Sequence, residues 1–120
     1  MDVLIIEDDE NAAKAIRRVI MNAGFSVEIA ENGCKALEML KTQVPRLVIS
    51  DLMMPFMNGI EVLGRIKADE RLRGVKVMIL SAVAQAKLEE ALDAGADLVL
   101  AKPFGNAELT AKIKEILGIS

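Results

Sequence analysis

Short aliphatic runs alternate with amphipathic stretches along the whole of this chain. Five runs of strand length lie at residues 3–6, 25–30, 47–49, 75–80 and 98–101. Several of them are apolar at consecutive positions, which is typical of strands that are covered on both faces. This alternation limits the possible folds more than any other feature of the sequence.

The stretches that follow these runs carry apolar residues at helical spacing. The five stripes are Ala12, Ile16, Val19, Ile20 and Ala23; Ala36, Leu37 and Leu40; Ile60, Leu63 and Ile66; Leu88, Ala91 and Leu92; and Leu109, Ile113, Ile116 and Leu117. Five βα units in a row predict an α/β domain, with a parallel sheet between two layers of helices. We also expect glycine C-caps at Gly24 and Gly95, and asparagine N-caps at Asn32 and Asn58.

The length and composition predict one domain with an aliphatic core. A chain of 120 residues can enclose a single core, so we expect one domain over residues 1–120. Hydrophobic residues make up 52% of the chain but aromatic residues only 2%, so the core must be built from aliphatic side chains. The formal net charge of −3 argues against a non-specific nucleic-acid surface.

Cysteine usage and hydropathy bear on the compartment. Cys34 is the single cysteine, so no intrachain disulfide can form, and we expect it to be a small buried hydrophobic residue. No apolar run reaches the length of a membrane span, and the first residues do not resemble a signal peptide. These features favour a cytoplasmic protein that does not bind membranes.

Polar side chains follow four of the five predicted strands. Glu7 and Asp8 come after the first strand, Asp51 after the third, Ser81 after the fourth and Lys102 after the fifth. Ligands of open α/β sheets bind outside the carboxyl ends of the strands. We therefore expect the acids, the hydroxyl and the ammonium group to gather at one edge of the sheet.

This set of groups suits phosphoryl transfer. Crowded carboxylates raise one another's pKa unless a cation relieves their repulsion, and ligands that are all oxygen favour a hard ion. A shallow edge with few protein ligands suits Mg²⁺ better than Ca²⁺. A carboxylate such as Asp51 can act as a nucleophile on phosphorus, while Lys102 and Ser81 stabilise the charge on the phosphoryl oxygens.

Longer motifs surround these residues. They are Ile5-Ile6-Glu7-Asp8-Asp9, Asp51-Leu52-Met53-Met54-Pro55 with Met57-Asn58-Gly59, Ser81-Ala82, Ala94-Gly95-Ala96-Asp97 and Lys102-Pro103-Phe104. In sequence and spacing, the whole chain resembles the response regulator receiver domain of two-component signalling, close in extent to the single-domain chemotaxis regulators. The resemblance implies a doubly wound (βα)5 flavodoxin-like fold with a five-stranded parallel sheet of order 2-1-3-4-5.

The resemblance also implies a role for each matching residue around the metal. Asp51 would be the phosphoacceptor and a ligand of Mg²⁺. Glu7 and Asp8 would be the acidic pair that positions the ion, with Asp8 as the direct ligand. The backbone carbonyl of Met53 would complete the protein ligands, whereas Asp9 would not be a ligand.

The same resemblance implies how the phosphoryl group is held and exchanged. Ser81 would donate a hydrogen bond to the group and Lys102 would pair with it, next to a cis bond to Pro103. A histidine kinase or a histidine phosphotransfer protein would be the donor, and a downstream protein would be the target. The chain would be a monomer or a phosphorylation-dependent dimer, would not bind nucleic acid directly, and would not be an enzyme in the ordinary sense.

Three positions depart from the family pattern. Val99 stands where the family often has an aromatic residue, so we expect signalling through the loop after Ser81 with a muted response of the fifth strand. Unmoved NMR shifts of residues 82–92 on binding of a phosphoryl analogue would contradict this. Met53 and Val83 have no side-chain group that can orient water, which predicts slower self-dephosphorylation than that of a Met53→Asn variant.

Three other functions remain open alternatives. A Mg²⁺-dependent phosphohydrolase with an aspartyl-phosphate intermediate would usually carry a second acid where Met53 stands, together with a cap domain. A flavodoxin-like cofactor protein would need a phosphate-binding loop after the first strand. A degenerate receiver would bind partners without phosphorylation, although all the expected site positions hold competent residues.

Overall fold

Five parallel strands alternate with five helices in the computed structural model, which describes residues 1–82 and 85–119 and, of residues 85–88, the backbone alone. The strands are β1 (Val3–Ile6), β2 (Val27–Ala30), β3 (Leu47–Asp51), β4 (Lys76–Ser81) and β5 (Leu98–Ala101). The helices are α1 (Glu10–Asn22), α2 (Gly33–Met39), α3 (Gly59–Ala68), α4 (Gln85–Asp93) and α5 (Asn106–Ile116), with a 3₁₀ turn at Glu70–Leu72. Over the described residues, no helix has both the length and the apolar character needed to cross a membrane.

The strands form one sheet of order β2-β1-β3-β4-β5, and every pairing is parallel. The predicted doubly wound fold and strand order are therefore confirmed. Two strand ends lie further along the chain than predicted, because ladder hydrogen bonds do not depend on apolar side chains. Asp51 is the last residue of β3 and pairs with Leu80, and Ser81 is the last residue of β4.

The strand β2 begins at Val27, two residues later than the sequence pattern predicts. The backbone N–H of Asp2 donates to the carbonyl oxygen of Ser26 at 3.1 Å, and the N–H of Ser26 donates to the Asp2 carboxylate at 2.9 Å. The second bond, to a side chain, replaces a regular ladder bond at this point. The strand therefore starts only after Ser26.

Both faces of the sheet are covered by apolar clusters. On β1, Leu4 and Ile6 face the cluster that contains residues of α2, α3 and α4, whereas Val3 and Ile5 face the cluster that contains residues of α1 and α5. The predicted stripe of α5 lies in the core at Leu109 and Ile113, and Ile116 packs against its edge. Coverage on both faces explains why the strand sequences are apolar at consecutive positions.

The predicted helix caps are present. Gly24 and Gly95 have φ angles of +97° and +108°, which only glycine adopts readily. Asn32 accepts a hydrogen bond from the N–H of Lys35 at 2.8 Å, and Asn58 accepts one from the N–H of Glu61 at 2.9 Å. The beginnings of α2 and α3 are thus fixed by side chains that the sequence made recognisable.

Two predictions of buried apolar side chains are wrong. Cys34 is exposed, because Gly33 and Ala36 take the inward positions of the short helix α2. In α4, Ala91 is buried, but the Leu92 side chain is 49% exposed. Of the methionines that follow β3, Met54 and Met57 pack against the core while Met53 is exposed.

Candidate active site

Three carboxylates meet at the carboxyl ends of β1 and β3. Glu7, Asp8 and Asp51 each place one carboxylate oxygen within 4.8 Å of the others. The parallel register pairs Ile6 with Ser50, so the next residues of both strands are neighbours. The grouping of these three acids at one edge of the sheet, predicted from the sequence, is thus observed.

Asp9 has a separate role, although it continues the same acidic run. It is the N-cap of α1, and its carboxylate accepts hydrogen bonds from the N–H groups of Asn11 and Ala12 at 3.0 and 3.2 Å. These bonds hold its oxygen against the first turn of the helix. Its exclusion from the ligand set stays a prediction.

Lys102 brings a positive charge to the acidic group. Its Nζ atom lies 3.4 Å from Asp51 Oδ1 and 3.6 Å from Glu7 Oε1. The backbone N–H of Lys102 donates to the carbonyl oxygen of Ser81 at 2.8 Å, and the peptide bond to Pro103 is cis, as predicted. One ammonium group is therefore shared by two carboxylates.

Glu7 is the buried member of the acidic group. Its side chain is only 4% exposed, and its N–H contact comes from the neighbouring Asp8 backbone at 3.1 Å. Burial and then repulsion from Asp51 raise the pKa of Glu7 from 4.5 to about 7, although Lys102 acts in the opposite direction. Lys102 thus offsets only part of the effect of burial and of Asp51 on the pKa of Glu7.

The donor set fits a hard divalent cation. The three acids supply only oxygen ligands, and repulsion from Asp51 adds to the effect of burial in raising the pKa of Glu7. Met53 lies two residues beyond Asp51, at the start of the loop that leads to α3, and its side chain is 61% exposed. The role of its carbonyl oxygen as a metal ligand stays a prediction.

Ser81 lies buried at the same edge of the sheet. It ends β4, one residue beyond Leu80, which pairs with Asp51 in the neighbouring strand. The role of its hydroxyl group stays a prediction. Val83 lies outside the described residues, and Val99 is half-buried on β5, where it packs against the core cluster on the α3 side.

Two residues without a predicted role lie against the backbone of Asp51. The hydroxyl of Ser50, which is fully buried, donates to the carbonyl oxygen of Asp51 at 2.9 Å. At Gly59, an added Cβ would lie 2.7 Å from that same oxygen, so only glycine fits. A serine at the end of an aliphatic run, and a glycine after the Asn58 cap, were the signals available in the sequence.

The loop between β3 and α3 contains a strained residue. Phe56 has a φ angle of +70°, and its side chain is 90% exposed. For a bulky residue this left-handed conformation is rare, and it costs on the order of 1–3 kcal/mol. The strain at Phe56 was not predictable, since an aromatic side chain gives no sign of a positive φ angle.

Comparison with known proteins places this site in a defined family. The family model described as the response regulator receiver domain matches residues 3–114. The response regulator MprA of Mycobacterium leprae is 37% identical over 98% of the chain, and MprA of Mycobacterium avium is 35% identical over the same share. The chain spans about half the length of these curated relatives, 51% in both cases.

Solved structures agree with the fold. A response regulator from Chloroflexus aurantiacus is 30% identical, with a TM-score of 0.91, over 98% of this chain and 97% of its own. The receiver domain of the sensor histidine kinase PA1611 from Pseudomonas aeruginosa is 29% identical, with a TM-score of 0.89, over the same shares. That domain has a magnesium ion coordinated in its active site cleft.

Proposed function

Because the chain belongs to the response regulator receiver domain family of two-component signalling, we propose that Asp51 accepts a phosphoryl group and thereby switches partner binding. The observation that carries this proposal is the position of Lys102. Its ammonium group lies 3.4 Å from the Asp51 carboxylate, at an edge where three acids meet. A nucleophile and a charge-stabilising group are thus already side by side.

The residues of the chain divide the chemistry between them. A carboxylate oxygen of Asp51 attacks phosphorus, and the group that leaves takes the electron pair of the broken bond. Lys102 then pairs with the phosphoryl oxygens, and the Ser81 hydroxyl donates a hydrogen bond to one of them. The Ser50 hydroxyl holds the carbonyl group of Asp51 while its side chain reacts, and Gly59 leaves the space that this carbonyl occupies.

The metal belongs to the same proposal. Asp8, Asp51 and the carbonyl oxygen of Met53 would bind Mg²⁺ directly, and Glu7 would help to position it. When bound, the ion supplies positive charge both to the acids and to the phosphoryl oxygens. The oxygen-only donor set and the raised pKa of Glu7 support this assignment, as does the magnesium ion of the related PA1611 domain.

The proposed partners follow from the chemistry of the family. A histidine kinase or a histidine phosphotransfer protein donates the phosphoryl group, and a downstream protein binds the modified form more tightly than the unmodified one. Such a switch needs a difference in free energy between two conformations. The proposed receiver spans residues 1–120 as one domain and turns over no free substrate, so it is not an ordinary enzyme.

Intact mass measurement tests the proposal. The protein is incubated with Mg²⁺ and acetyl phosphate, and we expect a gain of one phosphoryl group that is absent with excess EDTA. Asp51→Asn should abolish the gain, whereas the matched control Asp93→Asn, at an exposed position of α4, should retain it. Wild-type protein that gains no mass would instead favour a phosphorylation-independent binding module.

A further inference from the structure

Two large apolar side chains are exposed in the loop between β3 and α3. Phe56 is 90% exposed and Met53 is 61% exposed, and together they are called the exposed apolar pair. The other two phenylalanines of the chain, Phe25 and Phe104, pack half-buried against a core cluster. The most exposed aromatic ring of the described residues thus lies in the loop that follows Asp51.

Phe56 is unfavourable for the isolated chain in two respects. Its ring contacts mostly solvent, so it gains little from packing within the domain. Its φ angle of +70° is one that glycine adopts freely and a bulky side chain does not. The ring is therefore available for contact with another molecule.

The loop is fixed beside Asp51 at both of its ends. The N–H of Leu52 donates to the carbonyl oxygen of Leu80 at 2.9 Å, and the N–H of Gly59 donates to that of Leu52 at 2.8 Å. The Asp51 side chain is only 16% exposed, so a donor must approach closely to reach it. A protein that brings phosphorus to Asp51 therefore comes close to both ends of this loop.

We propose that the exposed apolar pair is a docking surface for the protein that donates the phosphoryl group, with Phe56 as its main contact. This inference rests on the proposed function. The partner is a protein with a phosphohistidine surrounded by apolar side chains. During transfer the N–P bond breaks, its electron pair returns to the imidazole nitrogen, and an O–P bond to Asp51 forms.

A small phosphodonor does not need the docking surface that a protein donor needs. Acetyl phosphate can reach the Asp51 carboxylate without burying Phe56, whereas a protein donor buries it. Aromatic residues are enriched among the few interface residues that dominate binding energy. Loss of the ring should therefore slow transfer from a protein at least tenfold and leave transfer from acetyl phosphate within about twofold.

The test compares Phe56→Gly and Phe56→Leu with wild-type protein. Glycine removes the ring and accepts the φ angle, so this variant keeps its fold, and leucine keeps an apolar side chain. Val44→Ala is the matched control, because Val44 is an apolar residue that is 55% exposed and precedes β3 at the opposite end of the sheet. The donors are acetyl phosphate and a panel of purified, phosphorylated histidine phosphotransfer domains.

We expect the loss of phosphoryl transfer in the variants to depend on the donor. With the fastest domain of the panel at subsaturating concentration, Phe56→Gly should show the tenfold loss, Phe56→Leu a smaller loss, and Val44→Ala none. Equal rates for wild type and Phe56→Gly with that domain would overturn the inference, as would a wild-type protein that accepts from acetyl phosphate but from no domain. A wild-type protein that accepts from neither donor would instead refute the proposed function.

Discussion

The acids at the two ends of the sheet have opposite surroundings. At the amino end, Asp2 accepts hydrogen bonds from the N–H and the hydroxyl of Ser26 at 2.9 and 3.1 Å. Asp97 accepts one from the N–H of Val77 at 2.8 Å and pairs with Lys67 at 3.2 Å. The bond from the Ser26 backbone is the main reason that the pKa of Asp2 is lowered.

At the carboxyl end, acids face one another. Glu7, Asp8 and Asp51 lie within 4.8 Å, and the pKa of Glu7 is raised to about 7. The comparison teaches that acids stabilise the fold at one edge and at the other are available to bind a cation.

Removal of the Lys102 ammonium group from the carboxyl end of the sheet should have the largest effect, a slower phosphorylation. With Lys102→Met, we expect the rate of phosphorylation by acetyl phosphate to fall by a factor of about 10²–10³, because the charge facing Asp51 and the phosphoryl group is lost. The rate of mass gain measures this effect. Lys112→Met is the control, since Lys112 pairs with Glu115 at an exposed site, and a loss below tenfold in Lys102→Met would contradict the assigned role.

The second largest effect should be a dependence of stability on pH that arises at the carboxyl end of the sheet. Between about pH 4.5 and about pH 7 the native protein holds a proton on Glu7 that the unfolded chain releases, since the folded pKa is the higher one. The free energy of unfolding without metal should therefore fall through this window as pH rises, by on the order of 2 kcal/mol from this group. Urea unfolding in EDTA at pH 5 and pH 7.5 measures the change.

The Glu7→Gln variant isolates that contribution. It cannot release a proton in this window, so its stability should depend less on pH than that of wild-type protein. Added Mg²⁺ competes with the proton, and its stabilising effect on the wild type should grow as pH rises. An identical pH dependence in both proteins would show that Glu7 titrates near its ordinary pKa.

At the amino end, loss of an acid should affect the fold and not the chemistry. Asp97→Ala leaves the N–H of Val77 without its acceptor, so we expect a loss of about 1–2 kcal/mol in the free energy of unfolding. Phosphorylation by acetyl phosphate should stay within about twofold of the wild-type rate. Asp93→Ala controls for removal of an exposed acid, and slow phosphorylation of Asp97→Ala would break the contrast between the two ends.

The smallest expected change is a gain in stability at the loop that borders the carboxyl end. Phe56→Gly relieves the positive φ angle but makes the unfolded chain more flexible, so we expect a net gain of about 0.5–1 kcal/mol. Urea unfolding measures it against wild-type protein. A destabilised variant would mean that the ring packs within the domain after all.

Much of the fold was predictable because its signals are local. Consecutive apolar positions indicate strands covered on both faces, and Gly24, Asn32 and Asn58 mark helix ends by their own chemistry. The exposure of Cys34 was not predictable, because a helix of seven residues has too few turns for its apolar spacing to fix the buried face.

For the candidate site, the positions of the residues were predictable, but the directions of their side chains were not. The positions of Glu7, Asp51 and Lys102 follow from topology, since the carboxyl ends of neighbouring parallel strands meet. The greater burial of Glu7 and the hydrogen bond from Ser50 to the Asp51 carbonyl depend on side-chain directions that only the packed domain determines. No local pattern in the sequence carries that information.

The contact between Gly59 and Asp51 has a consequence for protein engineering. Gly59, the first residue of α3, lies against the backbone of Asp51, and there is no room for a side chain between them. A designer who transfers β3 into another scaffold would have to transfer the start of α3 together with it. Residues 51–59 are in this sense a single structural unit.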